Sequence, residues 1–243
     1  MILANVRRQL TRDDAQLAAR LLSGAGADVA SIEARLTDDG IDAVLDDPRL
    51  PRLMREAWLG ARASFPLFAY VMVRDALRRM GEGDRGLADY VAAILVHFIR
   101  GEEINRISRA DDQVYDTLAG LLGDVDDPDG RRSFLVRQHL GNYALFVSGL
   151  FPDHIEMRRW RRGGPDLEYY EAMGRRGFEL ASAHALAEQH GLAPLYAAAA
   201  DRFGVLRVAL NTLSDQMLFA HVNSPEKLMR QVSDEARWRR MSS

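Results

Sequence analysis

Apolar residues along this chain recur at intervals of three and four, the period of a helix that buries one face. Thr11 to Asp14 reads as a capping box ahead of Leu17, Leu21 and Leu22. Ser31 to Leu36 makes a second short helix that Gly40 closes, and Pro51 opens a third carrying Leu53, Met54 and Trp58. Ser64-Phe65-Pro66 starts a strongly apolar helix through about Met80, and Asp84 caps the next, from Arg85 to Arg100. A polar connection from Glu102 to Asp112 leads to a helix around Val114 to Leu122. The acidic turn Asp124 to Gly130 then precedes a long helix from Arg131 to Phe151. Pro152 begins a short helix that ends at Gly163-Gly164-Pro165, and Asp166 caps another reaching His190. Ala193 to about Ala220 reads as one helix, and Ser224-Pro225-Glu226 begins a C-terminal amphipathic helix over 224–243.

No stretch alternates with a period of two, and hairpin dipeptides between β-branched runs are missing. The expected fold is therefore all-α: a single-domain multi-helix bundle of about ten helices over 1–243, with 1–63 as an appended helical layer. A chain of 27.2 kDa buries roughly 70% of its unfolded surface, enough for a core without metal or disulfide staples.

Composition removes several chemistries. There is no cysteine, which excludes thiol nucleophiles, disulfides and thiolate metal sites. Every basic residue except Lys227 is arginine, the usage expected of a GC-rich bacterial genome, and Lys227 follows a Ser-Pro helix start that suits no desolvated amine. Met1 to Arg8 contains no apolar signal-peptide core, and Leu87 to Ile99 is too short to span a bilayer. A cytoplasmic chain with no transmembrane segment is expected. The formal charge of −3 argues against global attraction to nucleic acid, so anion binding must come from local clusters.

One such cluster is repeated. Arg-Trp-Arg-Arg occurs at Arg159-Trp160-Arg161-Arg162, preceded by Arg158, and again at Arg237-Trp238-Arg239-Arg240. Indole offers a large flat apolar face, and guanidinium a planar cation that stacks on it and grips oxyanions in pairs. Both residues are enriched where binding energy concentrates. The pairing points to a surface that meets a protein partner, most simply another copy of this chain. Nucleic acid or anionic lipid ranks lower, because the charge is negative overall and the apolar face of the last helix is narrow. For the first cluster the plainer reading is a solvated basic helix paired with acidic neighbours such as Glu168 and Glu171, with the contact surface set against it.

A second set consists of polar residues on faces that should be buried: His139 and Tyr143, Tyr170 and His184, and the stripe Arg207, Asn211, Ser214. Buried groups of this kind must satisfy one another or line a cavity. If they converge, Arg207 and Asn211 hold an anion and a histidine moves a proton, the pocket of a helical-bundle enzyme or small-molecule binder. If they do not, they form an interior network that fixes helix register.

No metal or cofactor is expected. Glu-x-x-His and His-Glu-x-x-His are absent, and Pro128 interrupts the acidic turn where a calcium ligand is needed. Glycine loops for phosphate and the Gly-x-Ser-x-Gly elbow are missing too. Asp111, Asp112 and Asp116 resemble in part the aspartate-rich magnesium–diphosphate motif of all-α isoprenoid synthases. The third acid falls one position late and no second motif accompanies it, so an acidic helix start is the plainer reading. The leading expectation is a non-enzymatic interaction protein that self-associates through its Arg/Trp-rich surfaces.

Overall fold

A computed structural model describes residues 1–57, 63–99, 104–108, 111–115, 117–218 and 227–234, and among these the chain is helical without a strand. Its contacts cluster in two compact units, Ile2–Glu102 and, with Met1, Glu103–Ser243.

The first unit holds α1 (Val6–Gln9), α2 (Arg12–Gly24), α3 (Val29–Asp38), α4 (Ile41–Leu45), α5 (Leu50–Ala57), α6 (Phe65–Arg79) and α7 (Arg85–Ile99). The starts of α2 and α6 are those the sequence specifies, while α1 and α4 are additional. Thr11 and Asp14 form the full capping box, and Ser64 caps α6 just before Pro66. The short turn at 80–84 folds α6 and α7 into a hairpin, and α1 packs on both. The 1–63 segment therefore contributes α1 to α5 to the same unit as α6 and α7. Asp89, buried on α7, receives the Arg7 backbone N–H at 2.9 Å and so fixes the start of the chain.

The second unit holds α8 (Leu118–Gly123), α9 (Gly130–Leu150), α10 (Pro152–Arg162), α11 (Leu167–Ser182), α12 (Ala185–Gln189), α13 (Ala193–Asp201) and α14 (Phe203–Leu213). A π-helical turn, Ser214–Leu218, and a helix at 227–234 follow. Helix α9 is central and packs against α8, α10, α11, α12 and α14. It meets α11 through glycine: a Cβ on Gly177 would lie 2.5 Å from the Gly141 nitrogen. The Phe178 ring covers Gly141, Phe203 fills the space above Gly174, and Leu210 lies over Gly149. Small residues thus let backbones approach while aromatic rings fill the flanks.

Three expected helices differ. The one from Asp166 breaks at Ala183–His184, where the His184 ring caps α12 and the Ser182 hydroxyl donates to the Ala193 carbonyl at 3.1 Å. The one from Ala193 turns at Arg202, placing Phe203 on Gly174, and passes into the π turn at Ser214–Leu218, its expected end near Ala220 lying outside the described residues. The helix expected from Val114 starts only at Leu118, capped by Thr117.

Candidate functional site

One member of each set singled out by the sequence, Trp160 and Arg207, meets the other at one place in the second unit. A cleft of about 370 Å³ lies between α10, the start of α11 and helix 227–234, with Trp160 and Arg207 both in its lining. Two features position Trp160. Pro152 starts α10 directly after α9, and Gly163, in the left-handed conformation at φ 64°, ends it. Only Pro152 and Ile155 of α10 are buried, so the helix is held near its beginning and its last turns project. Trp160 is 79% exposed, and Arg158, Arg159, Arg161 and Arg162 are exposed around it. Of the two acids expected to neutralise them, Glu171 instead pairs with Arg175 and Arg207, and Arg159 lies 3.6 Å from Glu156.

The inner wall is a buried ionic network. Arg207 is 2% exposed. Its guanidinium donates to Asn211 at 2.7 Å, to Asp234 at 2.7 and 3.3 Å, and to Glu171 at 3.2 Å. Burial alone would favour loss of its proton, but the Asp234 and Glu171 carboxylates outweigh that and raise its pKa. Asn211 passes the connection on, donating to the carbonyls of Ser148 and Gly149, and the Ser214 hydroxyl donates to the carbonyl of Leu150. These are the free carbonyls at the C-terminal end of α9, which would otherwise be buried without donors. The Arg207, Asn211, Ser214 stripe therefore satisfies a helix end.

Helix 227–234 is oriented with its charges inward. Lys227 and Arg230 are buried, whereas Leu228, Met229 and Val232 are exposed at 59%, 72% and 67%. Arg230 donates to Asp153 at 3.1 Å and to Asp215 at 2.8 Å, Lys227 lies 3.7 Å from Asp215, and Asp234 takes Arg207. The side bearing Leu228 and Val232 thus faces outward. Arg237, Trp238, Arg239 and Arg240 lie outside the described residues, as does Trp58.

The remaining polar candidates are spread along the unit. His139 Nε2 bonds the Ile104 carbonyl at 2.9 Å, and its ring stacks on Tyr143 with centroids 6.2 Å apart. His184 packs on Phe134, and its Nδ1 accepts the Leu186 N–H at 3.1 Å. Burial, then the charge of Arg137, lowers its pKa against an opposing backbone hydrogen bond at Gly130. Tyr170 is buried edge-on to Tyr169, and burial raises its phenol pKa. His139 stands nine positions before Ser148 on α9, roughly 14 Å at 1.5 Å per residue, and His184 packs on Phe134, farther still along that helix, so neither imidazole adjoins the carbonyls that Asn211 holds.

The segment expected to be an acidic helix start is a non-helical loop clamped by Arg132. That guanidinium reaches Asp111 at 3.0 Å, Asp127 at 2.6 Å, Asp124 at 3.2 Å and the Tyr115 hydroxyl at 2.6 Å. Asp116 lies outside the described residues. Among the described residues no three His, Asp or Glu side chains group to hold a metal ion, and no helix is long and apolar enough to cross a membrane.

Comparison of the chain with protein families, with curated proteins and with solved structures finds no match.

Proposed function

We propose that this chain is a non-enzymatic interaction protein that associates with a second copy of itself through the outer face of α10 and helix 227–234. The observation that carries the reading is the inverted polarity of that helix: its ions are buried and its apolar side chains exposed, next to an indole that is 79% exposed. Large apolar groups gathered on one face mark contact surfaces, and exposed tryptophan with arginine is the composition of interface hot spots.

A second copy is the favoured partner because the patch carries both signs of charge. Arg158, Arg161 and Arg162 are exposed on α10, while Glu156, Asp166 and Glu168 line the cleft together with Arg159. A twofold axis sets such a surface against itself with basic groups opposite acidic ones. The buried-pocket reading lacks that kind of support, since only Arg207 of its seven residues lines the cleft.

Sedimentation equilibrium of the purified chain provides the test. The expected species has twice the 27.2 kDa chain mass. Trp160→Ala weakens the association by about thirtyfold or more, the loss of a hot-spot residue at roughly 2 kcal/mol. Met229→Ser acts in the same direction. A chain that stays monomeric at every concentration, or a dimer indifferent to both substitutions, removes the proposal.

A further inference from the structure

The first unit carries an excess of guanidinium groups around a second, smaller cleft. Where α4 ends, Asp46 and Asp47 turn the chain toward α5, and the C-terminal half of α6 passes beside them. Asp47 takes Arg49 through both carboxylate oxygens at 3.0 Å, and Arg35 at 2.9 Å. Arg35 also donates to the Ala43 carbonyl. Asp46 takes Arg74 at 3.0 Å and Arg85 at 2.7 Å. Each carboxylate thus faces two arginines. Their pKa values fall accordingly: Asp47's through Arg49 first, against burial and with Arg35 adding, and Asp46's through Arg74 and Arg85 in spite of burial.

Two further arginines project from α6 into the same place. Arg78, one turn after Arg74, donates to the main-chain carbonyl of Asp46 at 2.8 Å, an acceptor with no formal charge. Arg79 pairs with Asp75 at 2.7 Å. Six guanidinium groups thus stand around this corner, of which Arg74, Arg78 and Arg79 line the cleft together with the Asp47 and Asp75 carboxylates, an excess of one positive charge. Glu82 and Asp84, on the following turn, are engaged with backbone amides: Glu82 accepts the Asp84 N–H, and Asp84 accepts those of Gly86 and Leu87.

Between these groups is a cleft of about 240 Å³, with Arg74 buried and Arg78 and Arg79 exposed in its lining. Leu45, Pro48, Pro51 and Val71 supply apolar walls, which reduce screening and strengthen any ion pair formed inside. The volume falls below the usual range for drug-sized ligands, about 300–1,000 Å³, and suits a small anion. Planar forks with several N–H donors match tetrahedral oxyanions.

We infer that the cleft between the α4–α5 corner and α6 binds a small phosphoryl dianion, either free phosphate or a phosphomonoester, through Arg74, Arg78 and Arg79. This site lies in the first unit and is independent of the association surface proposed for the second. Titration calorimetry of the full chain with inorganic phosphate, against chloride at matched ionic strength, tests it, with phenyl phosphate as a parallel probe. One saturable site per chain is expected, and Arg78→Gln weakens it by about tenfold or more, as loss of a charge-assisted bond requires. Arg79→Gln acts likewise and carries the test if Arg78→Gln does not fold. Arg52→Gln, an exposed arginine paired with Glu56 on α5 and absent from the cleft lining, leaves affinity unchanged. Phenyl phosphate binding as tightly as phosphate assigns the site to monoesters, and binding of phosphate alone assigns it to the free ion. No saturable heat with either probe, or equal weakening by Arg52→Gln and Arg78→Gln, overturns the inference.

Discussion

Arg207→Met keeps the unbranched stem and deletes the guanidinium. In the folded chain that group is 2% exposed and gives hydrogen bonds to Asn211, Asp234 and Glu171 at 2.7 to 3.3 Å. Removing one member of a buried ion pair costs about 3–5 kcal/mol, because the partner's charge stays desolvated. Here the stranded side chains keep some hydration, at 15% exposure for Glu171 and 13% for Asp234, and Arg175 remains 3.5 Å from Glu171. The lower end of the range applies, about 3 kcal/mol, or roughly a hundredfold loss of amide protection. Native-state hydrogen exchange on α14 and helix 227–234 reads this unit directly. The larger loss belongs at 227–234, which loses the contact at Asp234. Adding Glu171→Gln and Asp234→Asn removes the stranded charges and should restore more than half the protection. Protection within about 0.5 kcal/mol of wild type in the single variant, or a triple variant weaker than the single, would refute this account of the network.

Gly177→Ala gains about 1 kcal/mol of helix propensity but places a methyl 2.5 Å from the Gly141 nitrogen. Backbone cannot rotate out of the way, so a net loss of about 2 kcal/mol is expected in denaturant unfolding. Gly130→Ala, whose Cβ meets nothing within 4 Å, should stay within about 0.5 kcal/mol of wild type, and equal stability of the two variants contradicts the close-packing argument. His184 titrates below its ordinary value, so over that window the folded state binds fewer protons than the unfolded chain. Its contribution is complete above the unfolded pKa of about 6.5 and is lost as pH falls through the folded value, because a protonated Nδ1 cannot accept from Leu186. Amides of α12 should therefore lose protection, relative to their intrinsic exchange rates, on acidification in wild type and not in His184→Asn; protection that rises with acid would contradict the sign.

The all-α fold was legible because its starts are local chemistry: Thr11, Ser64, Asp129 and Asp166 all cap the helices they precede. Breaks were less legible where tertiary packing decides them. No Pro or Gly marks 183–184 or Arg202; the chain turns there because His184 and Phe203 find partners on other helices. At the cleft, exposure of Trp160 followed from an arginine-dense helix with few apolar positions. The inward charges of helix 227–234 had a visible trace, since Lys227, Arg230 and Asp234 recur at three and four residues. Their acceptors, Asp153 and Asp215, are distant in sequence, and a single chain does not reveal such pairings. The loop clamped by Arg132 has the same cause, with Asp111 twenty-one residues away.

Because helix 227–234 is fastened by ions on one side and bare on the other, salt acts on its two sides differently. Added electrolyte weakens the fastening at its partly hydrated edges while leaving greasy contacts on the outer side intact. Reciprocity then couples the two: an occupant that prefers the seated helix tightens Arg207, Arg230 and their aspartates, and loosening those ions lowers the occupant's affinity by the same factor. Under the association proposed above, ionic strength is in this way a control that works from behind the contact surface.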